Sequence, residues 1–319
     1  MRTAKQTRIF IGVPTFNRPD MVRETVESLR ASLMTDFIAV ISDNVSSPDT
    51  AASVETYVSA LNDPRFRFVG QPLNEGEYGQ GRYFFAEATK SGADYFMILH
   101  DDDLLDPTYL DRAIQALASE VDAALFIANP RLIDECGAVS AKLTAQYLSE
   151  HGRNGHAGGL FPILETVLCT GFAPISGTVF RLSELERSGF VDADCAGNFP
   201  FELNVLLRLG DLGLQGWFDT DTLISVRYHE GSLRNTLGLM GNRTVVETML
   251  TLLERRSYHG IAERRRQTII SRLYRARAEI ALENGHIAAA KADAKAACRV
   301  YPKSLAAWKT RLLTSMRSI

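Results

Sequence analysis

From residue 8 the chain switches repeatedly between two spacings of apolar residues. "RIFIGV" (8–13) is an apolar run of strand length, whereas "DMVRETVESLRASL" (20–33) repeats its apolar positions every three to four residues, the period of a helix lying on a core. The alternation continues through "FIAVIS" (37–42), "TAASVETYVSAL" (50–61), "FRFVG" (66–70), a helix near 79–90, "YFMIL" (95–99), a helix at 107–119 and "AALFIA" (123–128). Strands alternating with helices of this length predict an α/β protein with a mostly parallel sheet covered on both faces. Ligands of such sheets bind beyond the carboxyl ends of the strands. Asp43 follows the second strand and Asp101–Asp103 follow the fourth, so both fall on that edge.

Beyond residue 130 the pattern loosens. "LSEHGRNGHAGG" (148–159) reads as a mobile surface loop because of its Gly and His content. A strand near 173–181, a helix at 199–209 and strands at 214–218 and 222–228 follow, and everything after about 240 is helical. The expected division is a sheet domain over 1–235 and a helical extension over 236–319. In that extension Tyr274, Ala278, Ala290, Ala294, Ala297 and Pro302 stand at offsets resembling one tetratricopeptide unit. One unit cannot bury a solenoid core, so a single helical hairpin is expected.

Of 319 residues, 45% are hydrophobic and 23% charged, enough for a sizeable core, and the net charge of −3 speaks against nucleic acid as a partner. Cys136, Cys169, Cys195 and Cys298 lack zinc-site or disulfide spacing. The N-terminal apolar run is too short for a signal peptide and no stretch nears eighteen apolar residues, so a cytoplasmic protein is expected.

The segment "FMILHDDDLL" (96–105) poses the chemical question, since an apolar strand runs directly into three carboxylates. Carboxylates so close repel one another unless solvated or held by a cation. Oxygens converging from a tight loop suit a hard divalent ion, Mn²⁺ or Mg²⁺, which would in turn bridge the phosphates of a nucleotide. Together with this run, "IGVPTFNRPDMVRETVESL", "AVISDNVSSPDT", "NEGEYGQGRYFFAEATKSGADYFMILHDDDLLDP" and "GFVDADCAGNFPFELNVLLRLGDLG" resemble family 2 glycosyltransferases of the GT-A fold, a Rossmann-like sheet flanked by helices. The resemblance spans roughly residues 8 to 230.

What the resemblance implies can be written residue by residue. Pro14, Thr15 and Phe16 line a nucleotide pocket, and Asp43 accepts from the base, a uracil or thymine N3–H. Asn74 and Gly76 begin a further donor-binding segment, but Gly81-Arg82 departs from the family pattern. Asp101 and Asp102 touch ribose or metal, and Asp103 is a direct metal ligand. His229 in "VRYHEGSLRN" joins the metal, with Arg227 and Arg234 near phosphate, while His100 stands where relatives often carry Asp and has no expected role. The implied reaction is inverting transfer from a nucleoside diphosphate sugar, UDP- or dTDP-linked, to a hydroxyl of a saccharide or lipid-linked acceptor in cell-surface polysaccharide or glycoconjugate synthesis.

Inversion needs one general base. Glu202 stands near the start of a helix whose dipole would favour its ionised form. Leu203 replaces the second acid that often follows, and Asp192 and Asp194 are the reserve bases. Eight arginines between 255 and 277 with Ile261, Ile269, Ile270, Leu273 and Tyr274 describe a basic amphipathic helix, either a peripheral contact with the inner membrane face or a solvated surface. A nucleotidyltransferase is disfavoured, because "GVPTFNRPD" lacks a Gly-rich triphosphate loop. A degenerate nucleotide-sugar-binding module is the rival reading, and homo-oligomerisation is compatible with either.

Overall fold

Strand β1 (Ile9–Thr15) lies between β2 (Phe37–Asp43) and β4 (Tyr95–Ile98), with β3 (Phe66–Gly70) beyond β2, and all four are parallel. The computed structural model describes residues 8–170, 173–194, 198–228 and 240–316. Helices α1 (Pro19–Arg30), α2 (Pro48–Ala60), α3 (Gly76–Ser91) and α4 (Tyr109–Ser119) connect or flank these strands as the alternating pattern predicts. Proline opens both α1 and α2, where its fixed φ fits and its missing N–H costs nothing.

The sheet continues past β4 with a reversal. Its order is β3-β2-β1-β4-β8-β6-β9-β5, where β5 is Leu104–Leu105, β6 Ala123–Ile133, β8 Val179–Arg181 and β9 Gln215–Arg227, and β7 (Gly159–Pro162) pairs with β9. β8 runs antiparallel to β4 and β6, while β6 and β9 are parallel. The strand expected over 173–181 is thus only three residues long. The two strands expected at 214–218 and 222–228 are one, whose pairing with β6 slips near Asp219 to Thr222. Exposed polar residues at the slip, "DTDT", look like a turn in sequence but are an irregular strand.

The core is the buried set from β1, β2, β4 and β6 with Val22, Val26 and Leu29 of α1. On the opposite face Phe10, Phe96, Phe85 and Phe190 pack ring to ring, Phe85 and Phe190 stacked at 4.3 Å. Gly12 is where α3 comes closest, since a Cβ there would lie 2.3 Å from the Phe84 ring.

The segment 148–159 is a loop over 151–158, as its composition suggests, but two of its side chains lie inside the protein. Helix α5 (Ala141–Glu150) runs into it, and His151 and Arg153 are buried. The His151 ring stacks 4.0 Å from Tyr147, and Arg153 Nη1 donates to the Ala128 carbonyl at 2.7 Å. Helices α6 (Ile163–Thr170), α7 (Leu182–Ser188) and α8 (Asn198–Asp211) complete this half.

The chain forms two compact units, one of residues 1–191 and 205–229, the other of 192–204 and 230–319. The second unit holds α9 (Arg243–Glu254), α10 (Gly260–Glu283), α11 (Ile287–Val300) and α12 (Leu305–Met316). Ala278, Ala290 and Ala294 are fully buried between α10 and α11, and Tyr274 packs on Ala297, Cys298 and Ala307. Small residues therefore stand at the helix crossings where the sequence offsets put them. The basic stretch 255–277 is largely α10, but Ile270 and Leu273 are buried, so its apolar side faces protein. Among the described residues no helix is long and apolar enough to cross a membrane.

Candidate nucleotide and metal site

Register brings the chemistry together. Thr15, the last residue of β1, sits opposite Asp43, the last of β2. β4 ends two residues before His100, and its neighbour β1 stops at the same edge. The ends of β1 and β2 are tied across this edge. Asn44 N donates to the Thr15 carbonyl at 2.8 Å, Asn17 N to Ser46 Oγ at 2.8 Å, and Ser47 N to Asn17 Oδ1 at 2.8 Å. Asn17 adopts φ 54° to do so, a left-handed conformation that Asn tolerates well.

Asp43 is buried, and its Oδ2 accepts from Ser46 N at 2.9 Å, the capping role that any "SDN" allows. Its Oδ1 is different, because it is buried with no hydrogen-bond partner among the described residues. An unpaired buried carboxylate oxygen costs free energy unless a donor from outside reaches it. Asn44 Oδ1 is in the same condition nearby in sequence. Asn44 Nδ2 donates to Asn74 Oδ1 at 2.9 Å, which also accepts from Gly76 N at 3.1 Å, so Asn74 and Gly76 act on the loop's shape. Pro14 is half-buried opposite Ser42, and Phe16 is 46% exposed at the mouth. Arg82 is exposed and faces the Tyr78 ring at 5.8 Å.

The acidic run is a tight turn between β4 and β5. Asp101 and Asp103 are buried, at 5% and 3% exposure. Thr15 Oγ1 donates to Asp101 Oδ2 at 2.8 Å, and Arg18 Nη1 reaches both Asp101 Oδ1 at 3.3 Å and Asp102 Oδ2 at 3.1 Å. Asp103 accepts from Ser176 Oγ at 2.5 Å and from Arg227 N at 3.2 Å. The backbone of the turn is held from α1, where Thr25 Oγ1 donates to the Asp103 carbonyl at 3.0 Å and Ser28 Oγ accepts from Leu105 N at 3.2 Å.

Burial, and then repulsion from Asp102, push the Asp101 carboxyl up to about 6 and Asp103 up to about 7. The turn is short of positive charge. His100 supplies some. Burial opposes its protonation, but the Glu77 carboxylate, 3.3 Å from Nε2, outweighs that and raises its pKa. One ligand atom each from His100, Asp102 and Asp103 lie within 4.8 Å of one another. The two carboxylates suit Mn²⁺ or Mg²⁺, and His100 would join them as a neutral imidazole, giving up the proton whose charge the cation replaces; the raised pKa of Asp103 marks where that cation would be gained at least cost. Asp101, expected to touch ribose or metal, accepts from Thr15 and Arg18, and His100, for which no role was expected, is one of the group of three. His229 and Arg234 lie outside the described residues.

Several contributors escaped the sequence reading. Arg18 closes the "PTFNR" motif and is the cation of the turn; the motif was visible but not which carboxylates it would meet. Ser176 and Glu77 are far away in sequence and carry no local signal. Arg227, expected near phosphate, is built into the fold. Its Nε donates to the Asp102 carbonyl at 3.2 Å, its Nη1 to the carbonyls of Asp134 and Glu135 at 3.1 and 2.9 Å, and its Nη2 pairs with Glu24.

The candidate base sits in the other unit. Glu202 is half-buried and is the fifth residue of α8, one position further in than the helix expected over 199–209 would make it. Asp192 and Asp194 are paired with Arg256 at 3.1 Å and Arg255 at 2.9 Å, respectively. The hydrogen bond from Arg255 holds the Asp194 carboxyl below its ordinary range.

Residues 10–160, just under half of the chain, match the family model described as "Glycosyl transferase family 2". An uncharacterised protein, y4gI, of Sinorhizobium fredii is 30% identical over 131 residues, which cover 40% of this chain and 14% of that protein's length. A crystal structure of Staphylococcus aureus TarS 1–349 in complex with UDP-GlcNAc is similar with TM-score 0.62 at 13% identity, covering 97% of this chain and 89% of that one. The mannosyltransferase PcManGT of Pyrobaculum calidifontis, in complex with GDP-Man and Mn²⁺, gives TM-score 0.56 at 16% identity over 99% and 81% of the two chains. GalNAc-T7 with UDP, GalNAc and Mn²⁺ gives 0.60 at 10% identity over 85% and 52%. At these identities the likeness establishes the fold.

Proposed function

The N-terminal part of this chain is a glycosyltransferase family 2 domain of GT-A fold, and on that premise we propose that the protein transfers a sugar from a nucleoside diphosphate donor to an acceptor hydroxyl with inversion. The observation that carries the donor half is the buried, unpartnered Oδ1 of Asp43 at the carboxyl edge of the sheet. A uracil or thymine N3–H would satisfy it, as a neutral acceptor on a base would not. Similar folds hold UDP-GlcNAc and GDP-Man; the free Asp43 oxygen calls for a base with an N–H donor, and UDP or dTDP is the donor proposed here.

The residues fit a divalent ion, held by Asp103 and Asp102 with His100 or His229. Bound there, Mn²⁺ or Mg²⁺ would neutralise charge accumulating on a departing diphosphate. The protein's own parts are the following. Pro14, Thr15 and Phe16 border the nucleotide, and Asn74 and Gly76 shape the adjoining loop. Thr15 and Arg18 hold Asp101 so that its carboxylate faces ribose or ion in one orientation. Ser176 and the Arg227 amide orient Asp103. Glu202 takes the proton of the acceptor hydroxyl as its oxygen attacks the anomeric carbon and the diphosphate leaves from the opposite side. Asp192 and Asp194 are poorer candidates, since each is already paired with an arginine. Saccharide or lipid-linked acceptors in cell-surface polysaccharide or glycoconjugate synthesis suit this reaction, and a homo-oligomer is not required by it.

The test is thermal-shift binding of UDP, dTDP, GDP and CDP, each with and without Mn²⁺, on wild type and Asp103→Ala, followed by donor hydrolysis or transfer by Glu202→Gln. A shift with a uracil or thymine nucleotide that needs Mn²⁺ and vanishes in Asp103→Ala supports the donor site. Turnover reduced about 10²–10⁴-fold in Glu202→Gln with nucleotide binding intact supports the base. Binding without turnover, indifferent to Glu202, would favour a binding module, which the absence of an acid at Leu203 leaves as the second reading. No shift with any nucleotide would refute the proposal.

A further inference from the structure

Helix α12 buries almost nothing that is apolar and exposes almost everything that is. Its inward residues are Ala307, Thr310 and Thr314, all small and all buried. Leu305, Trp308, Leu312 and Met316 follow one another at i, i+3, i+7 and i+11, so at 3.6 residues per turn they form one stripe on the side away from those three. They are 86%, 47%, 63% and 64% exposed, and Leu313, 49% exposed, widens the stripe. Scattered exposed apolar residues are ordinary, but a continuous stripe the length of a helix is not.

The charges of the last two helices are almost all of one sign. α12 carries Lys309 and Arg311 and no acid, Lys303 precedes it, and α11 adds Lys291, Lys295 and Arg299. The one acid of the segment 287–316, Asp293, is paired with Arg277 at 2.7 Å. In a chain with net charge −3, the segment that carries the apolar stripe is locally cationic. Trp308 is held by a hydrogen bond from Nε1 to the Pro302 carbonyl at 2.8 Å, with the Arg311 guanidinium 5.1 Å from its ring centre.

We infer that α12 is a membrane-surface helix, which lies in the plane of an anionic lipid bilayer with Leu305, Trp308, Leu312, Leu313 and Met316 in the headgroup–acyl boundary. The combination of an apolar stripe with an interfacial Trp and flanking cations is what such a surface selects. Charge argues against a second copy of the chain as the occupant. A two-fold contact through this stripe would set Lys309 and Arg311 against the same residues of the partner. The function follows from α12 and not from α10, whose Ile270 and Leu273 are spent inside the protein, leaving Ile261 as an isolated exposed residue. This inference is independent of the glycosyl-transfer proposal, because the surface and its test involve no nucleotide.

The test uses the full chain and sucrose-loaded vesicles of phosphatidylcholine alone or with 30% phosphatidylglycerol, at low and physiological salt. Sedimentation with the anionic vesicles only, weakening as salt rises, is expected. In a Trp217→Phe background, the remaining Trp308 emission should shift to the blue on binding. Leu312→Glu should reduce partitioning at least tenfold, and Lys309→Ala about fivefold. Both positions are exposed, so unchanged melting curves are expected and keep loss of folding separate from loss of binding. Absence of sedimentation at low salt overturns the inference. So does retention by Leu312→Glu at wild-type strength, which would place any lipid contact elsewhere. A dimer in light scattering that Leu312→Glu dissolves, without vesicle binding, would assign the stripe to a second copy and overturn it equally.

Discussion

Asp103→Asn should make the metal-free protein more stable at neutral pH and less able to be stabilised by a cation. Asp103 is 3% exposed, and burial with repulsion from Asp102 lifts its carboxyl to about 7. A folded-state value above the unfolded one means that the native protein holds a proton which the unfolded chain has released. Stability is therefore greatest below about 4, falls as pH rises toward 7, and is level above that. At about 1.4 kcal/mol per pH unit, the penalty at pH 8 is roughly 4 kcal/mol. The amide removes that penalty but cannot accept from both Ser176 Oγ and Arg227 N as the carboxylate does, which costs about 1–1.5 kcal/mol. A net gain of about 2–3 kcal/mol remains, or roughly 5–10 °C in melting temperature for a unit of this size. His100 acts in the same direction: burial opposes its charge, but Glu77 and then Asp103 raise its pKa above the ordinary histidine value, so the stability that its proton brings is also lost as pH rises, and part of that support goes with the Asp103 charge in Asp103→Asn.

The assay is thermal unfolding of both proteins in chelator from pH 4 to 8.5, repeated with millimolar Mn²⁺. The curves should converge near pH 4 and separate as pH rises. Added Mn²⁺ should raise the wild type and leave Asp103→Asn nearly unmoved, since binding to the native state alone stabilises it by mass action. A wild type that equals or exceeds Asp103→Asn at pH 8 in chelator would refute the reasoning, because the turn would then not be short of positive charge.

Three further outcomes can be checked with the same instruments. Asp43→Asn should weaken nucleotide binding roughly 10- to 100-fold while leaving the Mn²⁺ shift intact, as isothermal titration would read; equal weakening of both would break the division between base and metal. Arg18→Gln should cost the metal-free protein about 1–2 kcal/mol through its lost bonds to Asp101 and Asp102. It should also tighten Mn²⁺ severalfold, because the turn becomes more negative. Gly12→Ala should destabilise by about 1–3 kcal/mol in chemical denaturation, since its Cβ would meet the Phe84 ring at 2.3 Å.

The sheet edge was legible because it is written locally. The apolar runs of β1, β2 and β4 and the helical periods between them need no distant information, and Asp43 and the acidic turn follow from where the strands stop. What was hidden depends on contacts between segments far apart. Ser176 reaches Asp103 across 73 residues, and Arg227 reaches Glu24 across 203. The burial of Arg153 was unreadable for another reason. Composition marks an arginine among glycines as a surface residue, whereas aromatic faces and the Ala128 carbonyl accommodate it inside. His100 stands where the family pattern is acidic, so that pattern names no partner for it. Its partner Glu77 lies 23 residues earlier, on a different element.

Helix α1 grips the acidic turn at both ends of its own first three turns. Arg18 just before it, then Glu24, Thr25 and Ser28, contact Asp101 and Asp102, Arg227, the Asp103 carbonyl and the Leu105 amide, respectively. The turn and the helix thus cannot drift apart independently during evolution. A lineage that shortened or recharged residues 101–105 would have to alter this face of α1 in step, so positions 18, 24, 25 and 28 should change together with the turn, while the solvent-facing positions of the same helix vary freely.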